Sequence, residues 1–480
     1  MDFLTPDINR RVFIQGIGFI SVGLLMGTLG GCEKLAESIR NRPVRRRLRT
    51  GSALVDADIA TYRQAVELMK GLPAADPTSW TAQAAIHGLP GGFTFCEHGT
   101  DHFFDWHRAY LFYFEKICQK VTGNAKFGLP YWNWNQNPAI HAAFLDPASA
   151  LFLARTRTTM GSNSAVSTAT LDPMLDNADF YTYRQQVEGS PHNTVHTYIG
   201  GTLGGFTSAL DPLFWMHHCM VDYMWAKWNI ELDHDNTNDP GWMSHDNTHF
   251  VDANGVPSGT TAAITTIMPL ISYRYETSAV GTHPGGLDVT RFREFQELER
   301  RIRAGADIRF EIGSRARIAE RTAISIARPV QRETTLSTAD FARIIAGDPS
   351  REKVFASIAF AQLPASSDFA VRVFVQLPTA NRSTSIEDPH YAGSFAFFGT
   401  TPPVGTPPAG DHVHQPKFLV DLTPTLQRLL QRQELKDGQP ISLQLVAVPF
   451  GDNFEKPETE LLLENLDIIT TPVRVRTGKR

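Results

Sequence analysis

The sequence predicts a mainly α-helical core with long loops, followed by a C-terminal β-sandwich. Apolar residues recur three and four apart in "DADIATYRQAVELMKGL" (56–72) and "DWHRAYLFYFEKICQKV" (105–121), the period of an amphipathic helix. In the last third the period turns to two, in "DFAVRVFVQL", "GSFAFFG", "ISLQLVAVPF" and "TPVRVRT", with Pro/Gly clusters such as "TTPPVGTPPAG" between them. The third observation is histidine: two sets of three gather in the helical part, among aromatic side chains.

Taken in order, residues 1–32 read as an export signal. Arg10 and Arg11 precede an apolar, Gly-rich run to Leu29, interrupted by Gln15 and slightly short of the about 20 apolar residues of a membrane-spanning helix. The arginine pair fits a twin-arginine signal, and "LGGC" ending at Cys32 resembles a bacterial lipoprotein cleavage site. The readings are therefore a periplasmic chain, a chain anchored to a membrane by lipid at Cys32, or a secreted one; an uncleaved N-terminal anchor is the plain alternative. Residues 33–50 are basic and read as a tether.

Residues 51–280 form the expected catalytic domain. Its first helix closes at Gly71-Leu72-Pro73, and "SWTAQAAIHG" continues helically to Gly88. The helix from Asp105 to Val121 places Glu115 and Lys116 on its polar side. Residues 122–185, rich in Pro, Asn, Thr and Ser, read mainly as long loops, and two more helices are expected near 192–199 and 211–230. Residues 281–310 are the expected linker, beginning an Arg-rich stretch, and 311–480 the sandwich of short strands.

A length of 480 residues buries a large core, and a formal net charge of -5 with no basic, aromatic-interleaved face excludes a nucleic-acid partner. Four cysteines are too few for a disulfide scaffold. Cys118 and Cys219 lie in apolar helical runs and read as buried free thiols. Oligomeric state is not legible.

His192 and His196 are four apart with no helix breaker between them, so one helix face carries both. That is how a helix presents two neutral imidazoles to one metal. His218 supplies a third from the next helix. Asp222, four residues on, is placed to hydrogen-bond its other nitrogen, whereas His217 is rotated about 100° away and reads as packing. His87, His98 and His107 form a parallel set, with His102 as a rival. Three imidazoles suit zinc, non-haem iron or copper; two all-imidazole triplets suit copper, and two one-electron metals side by side can jointly reduce O2 by two electrons.

"DPTSWTAQAAIHG", "CEHG…DWHRAYL", "PHNTVHTYIGG" and "DPLFWMHHCMVDYMW" resemble the type-3 dicopper proteins, that is tyrosinases, catechol oxidases and haemocyanins, over roughly residues 50–280. "DPHYAGSFAFFG" with "SLQLVAVPF" looks like the C-terminal domain of plant-type polyphenol oxidases. The resemblance implies a four-helix bundle holding two copper ions, copper A on His87, His98 and His107 and copper B on His192, His196 and His218. It implies a thioether between Cys96 and His98, a plain buried thiol being the alternative. It also implies that Glu188 and Asn193 hold a water that deprotonates phenol, that Gly205 leaves open a gate some catechol oxidases fill, and that Tyr273 and Tyr275 end the core. The expected function is oxidation of a small phenolic substrate by O2, ortho-hydroxylating monophenols and converting o-diphenols to o-quinones. A catechol oxidase without the first activity, an O2 carrier, and a latent enzyme plugged by its sandwich are the alternatives.

Overall fold

The computed structural model describes residues 42–276 apart from 233 and 238, and residues 308–477 apart from 312–313, 326–329, 335–352, 403–404, 407–414, 437, 452–459 and 471–473. The expected export signal, with Arg10, Arg11 and Cys32, and most of the expected linker lie outside the described residues.

The helical core is built on α1 (Ala53–Lys70), α2 (Trp80–His87), α3 (Phe103–Thr122), α4 (Thr168–Leu175), α5 (Phe180–Val187), α6 (Asn193–Ile199) and α7 (Pro212–Ala226). α3 is its axis, with α1 and α7 packed against it. α7 is buried on every side but Tyr223, as a helix apolar all round must be. Its start is fixed by Pro212 in the first turn and by Asp211, whose side chain accepts from Leu213 N at 2.8 Å. α3 stops at Gly123, whose φ of +68° suits the left-handed cap that glycine adopts without cost.

Three expectations change. Residues 122–185 are not all loop, since they contain α4 and α5. Each is eight residues long and defined mainly by its caps, Ser167 accepting from Thr170 N and Asp179 from Thr182 N, so neither is long enough to show a period. The basic segment is not wholly a free tether: β1 (Val44–Arg45) pairs in parallel with β2 (Arg274–Tyr275), and Arg45 is 0% exposed. For the same reason Glu115 is not on a solvated face; it is buried and accepts from Arg45 Nε at 2.9 Å and Leu129 N at 2.9 Å.

The C-terminal part is two four-stranded antiparallel sheets, built from β3 (Ser314–Ser325), β4 (Val330–Thr334), β5 (Val354–Phe360), β6 (Phe369–Val375), β7 (Tyr391–Ala396), β8 (Lys417–Asp421), β9 (Ile441–Pro449) and β10 (Glu460–Thr470). One sheet runs in the order β8, β5, β10, β3, and the other in the order β7, β6, β9, β4. Register aligns Val371 with Ala447 and Ile358 with Leu466. Alternate residues of β6, namely Phe369, Val371, Val373 and Val375, face the shared core, where Phe360, Phe395, Phe397 and Phe418 meet. The architecture is thus the expected helical core followed by a β domain. β7 and β8 rest on the chain between α5 and α6, so the sandwich sits on the histidine-bearing side of the core. Among the described residues, no helix is long and apolar enough to cross a membrane.

Candidate metal centre

His87 is the last residue of α2. Gly88 succeeds it because a Cβ there would collide with the carbonyl oxygen of Phe206, and that oxygen accepts from His87 Nδ1 at 3.2 Å. His98 hangs on the loop before α3, its ring stacked on Phe93 at 4.4 Å. His107, in the first turns of α3, directs Nδ1 to Phe103 O at 2.7 Å. His192 closes a π-helical turn and directs Nδ1 to Asn193 Oδ1 at 2.8 Å; His196 of α6 directs Nδ1 to Leu203 O at 2.7 Å. A carbonyl oxygen only accepts, so in these four rings the proton sits on Nδ1 and Nε2 is a bare lone pair.

Those lone pairs converge. His87 Nε2 is 3.3 Å from His98 Nε2, and His196 Nε2 is 3.1 Å from His218 Nε2. Nε2 of His107 and of His192 is buried without a hydrogen-bond partner. Buried imidazole nitrogens turned toward one another, those of His107 and His192 with no partner at all, are costly in a dry pocket unless something electron-poor lies between them. Burial pushes His192 down to about 3 and holds His107, His196 and His218 well below the ordinary imidazole range, so the rings are neutral and able to ligate. One nitrogen or sulfur from each of His87, Cys96, His98 and His107 lies within 4.8 Å of the others, and the same holds for His192, His196, His217 and His218. The two groups adjoin, with His107 stacked on His218 at 4.5 Å and His98 at 5.3 Å from His192. The donor set fits a pair of metal ions.

His217 stands inside the second group, where helix rotation would have kept it out. Its chemistry separates it from His218 instead. Trp134 Nε1, which can only donate, points at His217 Nδ1 at 3.2 Å, so the His217 proton is on Nε2 and that atom has no lone pair to offer. Asp222 does not hold His218, whose Nδ1 has no hydrogen-bond partner. The carboxylate is taken up by Arg45 at 3.0 Å, Arg108, Tyr273 at 2.6 Å and Tyr275 at 2.5 Å. His102 is also elsewhere, stacked on His245 at 3.6 Å and bonded to Asp105 at 3.2 Å.

Around the imidazoles, Cys96 is buried and its thiol is pushed up by that burial, so it stays protonated. Glu188 Oε1 accepts from Gly99 N at 2.5 Å and lies 3.8 Å from His98 Nδ1; Oε2 accepts from Arg184 at 2.7 Å. Burial raises its pKa to about 7 against the pull of Arg184 and the Gly99 N–H. Gly205 is extended, and a Cβ there would meet only Thr202 O, at 3.9 Å. Glu188 and Asn193 share a cavity of ≈ 40 Å³ with His98, Phe93 and, from the sandwich, Phe398, Lys417 and Phe418.

The period of "GSFAFFG" predicts a strand and nothing more, yet β7 ends at Ala396 and Phe398 turns into the metal centre. Phe398, 4% exposed, lies on His196 with centroids 4.0 Å apart and planes at 23°, within 5.6 Å of His192 and 5.1 Å of His98. Asn193 Nδ2 donates to Ala396 O at 3.1 Å. The signal that could have found it is three phenylalanines, Phe395, Phe397 and Phe398, interrupted only by Ala396 and closed by a glycine. More apolar rings stand there than one strand face buries.

Two neighbouring bowls of imidazole nitrogen fit a dinuclear metal centre of the type-3 dicopper kind. Residues 77–153 and 146–231 match the family model described as the common central domain of tyrosinase, and this segment is a tyrosinase-family domain. The chain is 31% identical over 272 residues to "Tyrosinase HcTyr1" of Hahella sp. (strain CCB-MM4), covering 42% of this chain and 57% of that protein. It is 32% identical over 243 residues to "Polyphenol oxidase, chloroplastic" of Malus domestica, covering 39% and 41%. The matches thus span about half the length of these relatives. In fold it is similar to latent apple tyrosinase, with a TM-score of 0.61 at 20% identity over 90% of this chain and 97% of that one. It is likewise similar to latent aurone synthase, with 0.63 at 19% over 90% of each.

Proposed function

We propose that the chain is a copper-dependent phenol oxidase that hydroxylates monophenols ortho to the hydroxyl and oxidises o-diphenols to o-quinones, and that its sandwich keeps it latent. The observation that carries this reading is an aromatic ring, Phe398, seated on His196 beside buried Glu188 and Asn193: the space it fills has the shape of a phenol ring. His87, His98 and His107 would hold one copper ion, and His192, His196 and His218 the other. The bound pair supplies the electrons with which O2 is reduced.

The residues supply the rest. A phenol has a pKa of about 10, so its delivery as phenolate at neutral pH needs a positioned acceptor. Glu188 Oε1 is that acceptor, through a water in the cavity oriented by the Asn193 carboxamide, whose Nδ2 keeps a second hydrogen beside the one it gives to Ala396 O. His196 offers the face on which the substrate ring stacks, and Gly205 leaves the approach open. A Cys96–His98 thioether would clamp the one ligand that stands on a loop. Export by the N-terminal signal belongs to the same proposal, checked by fractionating cells that express the full chain.

The experiment compares the copper-loaded full chain with Phe398→Gly on tyramine and on catechol. Two coppers per chain are expected, with quinone formation from both substrates raised at least about 10-fold by the substitution, an amount equal to one well-seated ring's barrier. Fewer than two coppers, or no turnover of either phenol after the substitution, overturns the reading. Turnover of catechol alone assigns a catechol oxidase. The covered site also accords with an O2 carrier, which would bind O2 reversibly and turn over neither phenol.

A further inference from the structure

Arg184 is 4% exposed, yet its guanidinium reaches two carboxylates on different elements. Nη1 donates to Glu188 Oε2 at 2.7 Å and Nη2 to Asp101 Oδ1 at 2.7 Å. Asp101 belongs to the loop that carries His98, and Trp242 Nε1 fixes that loop by donating to Asp101 O at 2.9 Å. Gly99 N of the same loop takes the other oxygen of Glu188. The Glu188 carboxylate is therefore gripped from both sides, by a loop amide and by a fork anchored on that loop. A planar fork can bridge two carboxylates in fixed geometry, and an ammonium on a flexible stem cannot. α5 itself carries none of the six imidazoles, so nothing else in the site requires a buried arginine there.

We propose that Arg184 is the positioning residue for monophenol hydroxylation, holding Glu188 against the His98 loop by bridging it to Asp101. This rests on the reading of Glu188 as the phenol's proton acceptor. Diphenol oxidation, whose substrate binds by the same ring contacts and is the easier to oxidise, depends less on where Glu188 stands. Arg184 therefore sets the ratio of the two activities. A merely structural ion pair would lower both together.

The test uses the full copper-loaded chain in the Phe398→Gly background, so that access to the pocket does not limit either reaction. Arg184→Gln, Arg184→Lys, Asp101→Asn and Glu188→Gln are compared for copper content and for kcat/KM on tyramine and on catechol. Arg184→Gln is expected to lower the tyramine-to-catechol ratio at least about 10-fold, the scale on which misplacement of a reacting group acts, with two coppers retained. Arg184→Lys, which keeps one contact, should fall between it and the parent. Asp101→Asn, altered at a side chain 56% exposed and so tolerant of change, should lower the ratio about two- to threefold. The proposal is overturned if Glu188→Gln lowers the ratio and Arg184→Gln does not, or if Arg184→Gln lowers both activities alike or loses copper. Should Arg184→Gln fail to fold, an unchanged ratio in Asp101→Asn overturns it. If Glu188→Gln also leaves the ratio unchanged, it is the underlying reading of Glu188 that falls.

Discussion

Asp222 shows how much a single side chain can carry away from the chemistry. It is buried and meets two guanidinium groups and two phenol hydroxyls, from positions 45, 108, 273 and 275. Burial alone would raise its pKa; Arg108, Arg45 and the two tyrosines hold it below the ordinary carboxylate value of 3.8. A folded-state pKa below the unfolded one means that the unfolded chain binds the extra proton first as pH falls. The stabilisation is thus complete above about pH 4 and is lost as the pH drops below that toward the depressed folded value. Asp222→Asn should flatten the fall in stability below about pH 4, and at neutral pH should destabilise by roughly 3–5 kcal/mol by leaving buried Arg108 without its carboxylate. Urea denaturation at a series of pH values measures both, and an unchanged acid limb would refute the assignment. Four-residue spacing and a doublet announce His192, His196 and His218 in the sequence, whereas His87, His98 and His107 share no such spacing and rest on the family resemblance. Asp222 could not be placed, because its partners lie far apart along the chain and no periodicity links them. The proton that disqualifies His217 as a ligand was equally illegible, since it depends on Trp134, 83 residues away.

Among the elements, α2 and the turn after it position His87. Gly88 lies against the Phe206 carbonyl, which in turn receives the His87 Nδ1 proton. Gly88→Ala is expected to push that carbonyl away, free the ring to rotate, and lower copper content toward one per chain while His192, His196 and His218 keep theirs. Metal analysis by mass spectrometry decides it, and two coppers at parent affinity would count against the coupling. The long helices were readable because each buries a stripe of regular period. α4 and α5 were not, since both lie in a run rich in Pro, Asn, Thr and Ser that reads as loop, and their limits rest on cap side chains. β1 was hidden for a different reason: a strand of two residues within a run of arginines looks solvated until Arg45 meets Glu115 and Tyr273, the latter with the guanidinium 3.6 Å from the ring centre.

At the scale of the molecule, the sandwich is held to the core by few polar contacts among the described residues. Arg157 of the core donates to Phe450 O at 3.1 Å, lies 3.5 Å from Asp368 and stacks on Tyr198, while Lys353 of the sandwich reaches Pro173 O at 3.4 Å. That a β domain comes after the helical one was legible from the change of period. Which of its rings enters the core was not, because a residue just past a strand's end obeys no alternation. The bond from Asn193 to Ala396 O ties the end of β7 to the core beside the imidazoles. One residue, Phe397, separates the amide's acceptor from the ring that fills the pocket, so one clasp shuts two doors at once. Arg157→Ala should accordingly raise catechol and tyramine turnover together, and detergent titration of the parent should show the same joint onset; separate onsets would mean that the ring and the amide are released independently. If the chain acts as proposed, its quinone chemistry waits on a single seam between two domains letting go.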